Sequence, residues 1–306
     1  MGLTLCVPAL VVTILVLAAP AAARGMPPRT ASWVLATVAV LGAGTWLTVL
    51  AMLGVTRVGE IPEIAELGRW SPHVLAAHSP VHGPVAGLCA LAAATGLLVT
   101  VFAVWRRVAV LAGARRECRG LPSTGDLVVL DDPVPTAYAL PGSPGRVVVS
   151  AGMLRALRPG ERRALLAHER AHLAHRHHLF LLTFHALAAA NPLLRPLARA
   201  GAFALERWAD EDAVTAVRDR SLVARAIARA ALAGTSPPSW APAATGGPVP
   251  QRVSALLAPP VPARRAPVAA CTALMVVCCV SLALAAHHVD AAFDAAAFHR
   301  VGAHSS

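Results

Sequence analysis

The sequence predicts a mainly α-helical, multi-pass membrane protein with about four transmembrane helices and one cytoplasmic α+β domain. Three observations lead to this class. Hydrophobic residues make up 56% of the 306 residues, and the mean hydropathy of +0.60 is high for a soluble protein of this size. Four stretches are apolar and long enough to cross a bilayer, which takes about 20 helical residues. One long polar segment separates the third stretch from the fourth.

The four predicted transmembrane helices are residues 3–23, 31–55, 83–105 and 266–286. The first stretch has an alternative, because Ala21, Ala22 and Ala23 resemble the cleavage site of a signal peptide. Residues 1–6 carry no positive charge, however, and a signal peptide begins with one. We therefore favour an uncleaved first span.

Arginines beside these spans predict the orientation, because basic residues collect on the cytoplasmic side. Arg24 and Arg29 lie between spans one and two. Five more follow span three: Arg106, Arg107, Arg115, Arg116 and Arg119. Arg264 and Arg265 precede span four. All three groups are cytoplasmic if both termini are outside the cell membrane, with residues 287–306 as a short external tail.

The basic charge indicates a lipid partner and no nucleic-acid partner. The net charge is +11, and all 27 basic residues are Arg. The Arg residues between positions 106 and 265 alternate with acids, and no surface combining aromatic and basic residues is evident. A basic face against the anionic lipid bilayer explains this pattern. The six cysteines contain no C-x-x-C pair, which argues against a disulfide framework or a cysteine metal site.

The polar segment 106–233 is predicted to be the cytoplasmic domain. Residues 126–130 and 146–150 have the β-branched pattern of short strands. Between them, Tyr138, Ala139 and Leu140 precede Pro-Gly and are typical of a strand at a sheet edge. A helix is expected from about Glu161, with no break before His178. Residues 234–265, rich in Pro and Gly, are predicted to be a mostly flexible linker to the last span.

Residues 168–172, His-Glu-Arg-Ala-His, form an H-E-x-x-H motif on that helix. The spacing of four places His168 and His172 on one helix face, where both can bind one Zn²⁺. Glu169 then lies beside the open metal position, where it can act as general base and then as general acid. The sequence therefore predicts a zinc hydrolase site with one Zn²⁺ per chain.

A catalytic zinc ion usually has a third protein ligand, and three candidates are open. His178 has suitable spacing from His168, but along a continuous helix it lies about 15 Å away. Glu206 is the stronger candidate, because a spacing of four puts it on one helix face with Asp210, which can hold a ligand imidazole from behind. Glu211 is a lesser candidate.

Three segments of the domain resemble the membrane-bound gluzincin proteases of peptidase families M48 and M56, which include the CAAX prenyl protease and the β-lactam sensors. The segments are Tyr138-Ala139-Leu140-Pro141-Gly142, the helix through residues 165–172, and Glu206-Arg207-Trp208-Ala209-Asp210, which matches an E-x-x-A-D pattern.

The resemblance implies a gluzincin-type zinc domain with residue roles carried over position by position. His168, His172 and Glu206 would be the zinc ligands, Glu169 the catalytic acid/base, and Asp210 a support behind a ligand. The edge Tyr138–Leu140 would receive a protein or peptide substrate as an added strand. The implied function is a zinc metalloendopeptidase of regulatory proteolysis or signalling.

Three spans, a zinc domain and a later span most resemble the M56 family. Its β-lactam receptors continue into an external binding domain, whereas residues 287–306 follow the last span here. We therefore do not expect penicillin sensing. Two other functions are open: a catalytically silent pseudoprotease that transmits a membrane signal, and a metal-handling membrane protein. Intact Glu169 argues against the first, and spans free of charged residues argue against the second.

Residues 179–205 are ambiguous. They contain about 12 apolar residues, then Asn191-Pro192, then Leu and Ala with two arginines. This length is too short for two spans, so the sequence predicts a buried or interfacial hairpin between the two zinc-binding helices.

Overall fold

The computed structural model describes residues 2–78, 83–119, 123–234, 249–260, 262 and 264–302. The fold is mainly helical, with one small sheet. The helices are α1 (Gly2–Ala23), α2 (Pro28–Gly59), α3 (Pro62–Gly68), α4 (Pro72–His78), α5 (Gly83–Arg119), α6 (Ala151–Ala156), α7 (Pro159–Ala174), α8 (His177–Ala190), α9 (Arg195–Val217), α10 (Arg220–Ala233), α11 (Val249–Leu257) and α12 (Arg265–Gly302). The strands are β1 (Leu127–Leu130), β2 (Ala137–Leu140) and β3 (Arg146–Ser150).

Four helices are long and apolar enough to cross a membrane, which is consistent with a membrane protein. The segments that meet this criterion are Cys6–Ala23, Pro28–Val55, Gly83–Arg116 and Arg265–Ala297. They contain the second, third and fourth predicted spans and all but the first three residues of the first. Helices α5 and α12 extend further than predicted, and α12 includes most of the residues expected to form a short tail.

The short helices α3 and α4 lie at the end of the bundle where α2 ends. The indole Nε1 of Trp70 donates a 2.9 Å hydrogen bond to the carbonyl oxygen of Gly59. Its ring meets Phe293 of α12 edge-on, with 5.1 Å between ring centroids. The segment between spans two and three and the later part of α12 therefore share one end of the bundle.

The three strands form a sheet in the order β1-β3-β2. Strand β1 pairs in parallel with β3. Strand β2 pairs with β3 in antiparallel fashion, with Tyr138 opposite Val148. Strand β2 therefore has one paired side and one side at the sheet edge. The end of α5 is attached to this sheet, because the guanidinium of Arg115 donates a hydrogen bond to the carbonyl oxygen of Pro141.

Helix α7 begins with Pro159 in its first turn, a position where proline costs no backbone hydrogen bond. The side chain of Glu161 accepts a 2.9 Å hydrogen bond from the backbone N–H of Arg158. The same buried carboxylate forms a 2.8 Å ion pair with Arg229 of α10. The start of α7 is thereby fixed both locally and to a neighbouring helix.

The prediction of one unbroken helix as far as His178 is wrong. Helix α7 ends at Ala174, Arg176 adopts a left-handed backbone conformation with φ of 52°, and α8 begins at His177. Residues 177–217 then form a helical hairpin, in which Pro192–Leu194 make a single 3₁₀ turn between α8 and α9. The hairpin predicted for residues 179–205 is therefore present. Its position relative to the bilayer stays a prediction.

Helices α8 and α9 pack against the membrane-spanning candidates, so the metal-site helices and the spans share one hydrophobic cluster. Its members include Leu15 of α1, Leu35 of α2, Phe184 of α8 and Leu205 of α9. Close approach of α8 and α9 requires glycine at position 201, because an added Cβ would lie 2.2 Å from the buried ring of Phe184. The domain predicted over residues 106–233 therefore shares a hydrophobic core with the candidate spans.

The prediction of a flexible linker over residues 234–265 is wrong for residues 249–257, which form α11. Val249, Val253 and Leu256 lie on one face of this helix and pack with α10 in a buried cluster. The spacing of these three apolar residues is that of an amphipathic helix, which the Pro- and Gly-rich flanks obscured.

Candidate metal centre

Two helices bring three buried metal-ligand side chains together. His168 and His172 lie one turn apart on α7, and Glu206 projects from α9, which crosses α7. All three are less than a tenth exposed. Burial of this many titratable groups is costly unless they are paired or bind a metal ion.

The distances between the candidate ligand atoms fit a small tetrahedral ion. The Nε2 atoms of His168 and His172 are 3.2 Å apart. The two carboxylate oxygens of Glu206 each lie 3.5 Å from one of these nitrogens. Two ligands that are each about 2.1 Å from a tetrahedral zinc ion lie about 3.4 Å from each other. The three side chains therefore form a group that could hold a metal ion.

Asp210 supports His168 from behind. Its Oδ1 atom lies 2.9 Å from Nδ1 of His168, so the imidazole is oriented with Nε2 toward the other ligands. Burial alone would lower the pKa of His168, but hydrogen bonds with Asp210 and Glu206 outweigh burial and raise it to about 10. Metal binding at Nε2 therefore displaces a proton from this imidazolium.

His177 supports His172 in the same way, a role that sequence reasoning missed. Its Nδ1 atom lies 2.9 Å from Nδ1 of His172. Burial lowers the pKa of His177 to about 2, and the charge of His172 adds to the effect. A neutral His177 can accept the proton of His172 Nδ1, which leaves His172 Nε2 free as a ligand. The feature that sequence reasoning did not recognise is the helix break at residues 175–176, which turns the His177 side chain toward His172.

Arg252 of α11 is the second residue that sequence reasoning missed. Its Nη1 atom lies 2.8 Å from Oε2 of Glu206, and its Nε and Nη2 atoms lie 2.9 and 2.5 Å from the two oxygens of Asp210. Although burial raises the pKa of Glu206, the charge of Arg252 and the contacts with His172 and His168 together outweigh burial, and the pKa falls to about 2. The guanidinium of Arg252, together with His168, thus favours the ionised form of both carboxylates.

Glu169 lies beside this group, half-buried, between α7 and β2. Burial raises the pKa of its carboxyl group, against the opposing effect of the charge of His168. The backbone amide of Ala139 is a hydrogen-bond partner of this carboxylate. The outer edge of β2, formed by Tyr138, Ala139 and Leu140, therefore runs past Glu169.

The other two ligand candidates lie elsewhere. His178 is on α8, beyond the helix break, and is absent from the metal-ligand group found among the described residues. Glu211 forms two hydrogen bonds, of 2.7 and 2.9 Å, with Arg220 of α10. The structure thus brings Glu206 to the two histidines and engages Glu211 in a structural ion pair.

In a comparison with known protein families, residues 103–204 match the model of peptidase family M48. The matched segment contains His168, Glu169 and His172 and ends just before Glu206. Neither the curated proteins nor the solved structures give a match. The family match supports peptidase family M48 and, with the His/His/Glu group, a metal-dependent peptidase.

The 2.9 Å ion-pair contact between Asp210 and His168 predicts the effect of Asp210→Asn on metal affinity. Loss of such a supporting carboxylate weakens metal binding by roughly 10–100-fold. The matched control is Asp212→Asn, since Asp212 is more exposed and contacts His175 instead of a ligand. Zinc affinity is measured by competition with a chelating dye. Equal affinities in the two variants would show that Asp210 does not act through His168.

The position of Arg252 predicts that Arg252→Met destabilises the metal-free protein more than the zinc-loaded protein. Removing one partner of a buried ion pair costs about 3–5 kcal/mol. A bound cation would neutralise Glu206 and offset part of that loss. Thermal unfolding in detergent, with a chelator and with zinc, measures the difference. Ser254→Met, an exposed position on the same helix, is the control. An equal loss with and without zinc would assign Arg252 a packing role alone.

Proposed function

We propose that this protein is a membrane-embedded zinc-dependent endopeptidase. The observation that carries the proposal is the buried group of His168, His172 and Glu206, with Glu169 of α7 beside it and next to β2. Two neutral imidazole ligands and one carboxylate are a donor set of catalytic zinc sites. The match to peptidase family M48 supports the same function.

In this proposal His168, His172 and Glu206 would hold the metal ion, and Glu169 would carry the proton. A zinc ion at such a site supplies Lewis-acid chemistry, since it lowers the pKa of water toward 7 and polarises a peptide carbonyl. Glu169 takes up the proton of the attacking water and transfers it to the departing amine. Its raised pKa suits this role, because a carboxyl group that titrates closer to neutral pH can both accept and return a proton.

The edge of β2 provides a binding surface for a protein or peptide substrate. An extended peptide that adds to Tyr138, Ala139 and Leu140 forms main-chain hydrogen bonds and places its backbone alongside Glu169. Because β2 lies at the sheet edge, such a strand adds without displacing β3. This arrangement favours cleavage within extended or locally unfolded segments.

The four long apolar helices support a location in the cell membrane, and the flanking arginines support a metal domain in the cytoplasm. A domain against the inner leaflet would act on membrane proteins or on cytoplasmic proteins near the membrane, for instance in regulatory proteolysis. The order of the spans resembles that of family M56, and we include this resemblance in the proposal.

Cleavage by purified protein tests the assignment of Glu169. Glu169→Gln should retain about one zinc per chain and lose activity by at least about 10²-fold, because general acid–base catalysis contributes that much. His168→Ala and Glu206→Ala should lose both zinc and activity. Glu211→Gln is the matched control and should retain both, since Glu211 pairs with Arg220. The measurements are zinc content and cleavage of casein or of the chain itself.

Two results would contradict this assignment. If the wild type binds zinc but never cleaves, and Glu169→Gln is indistinguishable from it, the chain is a pseudoprotease that acts through partners. If Glu211→Gln loses zinc instead of Glu206→Ala, the ligand assignment is wrong.

Labelling of introduced cysteines tests the orientation. In a background without the six native cysteines, Glu63→Cys on α3 should react with a membrane-impermeant maleimide in intact cells. Asp131→Cys, in the exposed turn after β1, should react only after the cells are permeabilised. The reverse labelling pattern would place the metal domain outside the cell.

A further inference from the structure

A cavity outside the metal-ligand group lies where the first two spans meet the hairpin of α8 and α9. Its volume is about 860 Å³, within the range of ligand-binding pockets. The end of α1, the start of α2, helices α8 and α9, and Gln251 of α11 contribute to its walls. Two of its lining residues, Arg207 and Gln251, are next in sequence to Glu206 and Arg252 of the metal centre.

The charge of the cavity is strongly positive. Four arginines line it: Arg24, Arg195, Arg199 and Arg207. Among the residues that the structure describes, no Asp or Glu lines it with them. In the same described part of the chain, none of the four forms an ion pair with a carboxylate. Four guanidinium groups without counter-charges repel one another, and an anion between them removes this repulsion.

Apart from His185 and Gln251, the rest of the wall is apolar. The side chains on this side include Pro20, Ala23, Met26, Ala188 and Phe203. A small inorganic anion would satisfy the arginines and leave this apolar surface uncovered. A ligand with an anionic group at one end and hydrocarbon at the other matches both parts of the wall.

The location of the cavity indicates which amphiphile is available. Residues 24–27 join two helices that are each long enough to cross the bilayer, so this turn lies at a membrane surface. Phospholipid head groups occupy that depth, and basic pockets between spans on the cytoplasmic side attract anionic ones. Arginine suits this contact because its planar group binds phosphate oxygens in pairs.

We propose that this cavity is a binding site for the head group and upper acyl chains of an anionic phospholipid. Arg195 and Arg199, one turn apart on α9, face the phosphate together with Arg24. The apolar wall contacts the start of the chains. The inference rests on the membrane location and is independent of peptidase activity, so either can fail without the other.

Native mass spectrometry of the full chain in mild detergent tests this site, with phosphatidylglycerol and phosphatidylcholine of identical acyl chains as probes. The wild type should retain phosphatidylglycerol at least several-fold better than phosphatidylcholine. The double variant Arg195→Gln/Arg199→Gln should lose this preference. Arg155→Gln/Arg163→Gln removes the same charge from exposed positions outside the cavity and should keep the preference.

A second variant distinguishes loss of the lipid site from misfolding of the double variant. Ala198→Phe fills the cavity without removing charge and should also abolish the retention of phosphatidylglycerol. Zinc content and the melting temperature show whether each variant is folded. Equal retention of the two lipids by the wild type would overturn the proposal, as would equal loss in the control double variant. If inorganic phosphate displaces phosphatidylglycerol at equal concentration, the site binds free anions instead of lipid.

Discussion

The neutralisation of buried charge is the constraint on which the rest of the metal domain depends. Helix α9 carries Glu206 and Asp210 on one buried face, and two carboxylates there are stable only beside positive charge. Arg252 supplies that charge from α11, and His168 supplies it from α7. Three helices far apart in sequence are thus held in one arrangement, and that arrangement is the one in which a metal ion can bind.

Each candidate ligand in turn depends on a residue behind it. His168 is oriented by Asp210, and His172 by His177. Arg252 contacts one oxygen of Glu206, and the other oxygen faces His172. Trp208 stacks on His175 with 4.4 Å between ring centroids and closes the apolar side of the group. The same tryptophan lies beneath the guanidinium of Arg29 at the start of α2, so packing at the metal centre continues into the first turn of a candidate span.

Local patterns in the sequence predict much of this arrangement. The four-residue spacings of His168 with His172, and of Glu206 with Asp210, follow from helix geometry alone, and apolar length alone predicts the four long helices. The contributions of His177 and Arg252 could not be predicted in this way. The first depends on a backbone reversal at Arg176, and the second on the packing of a short helix flanked by residues typical of a linker. Both are long-range consequences of the fold, as is the shared core of α8 and α9 with the spans.

The distance along the chain between Glu206 and Arg252 has a consequence for the order of assembly during synthesis. At about 5–20 residues per second, a ribosome takes roughly 2–9 s to extend the chain from one to the other. Helices α7 and α9 can meet during this interval, whereas the guanidinium does not yet exist. Until Arg252 is made, His168 on α7 is the positively charged partner of the two carboxylates, and the group stays open on the side that α11 later covers.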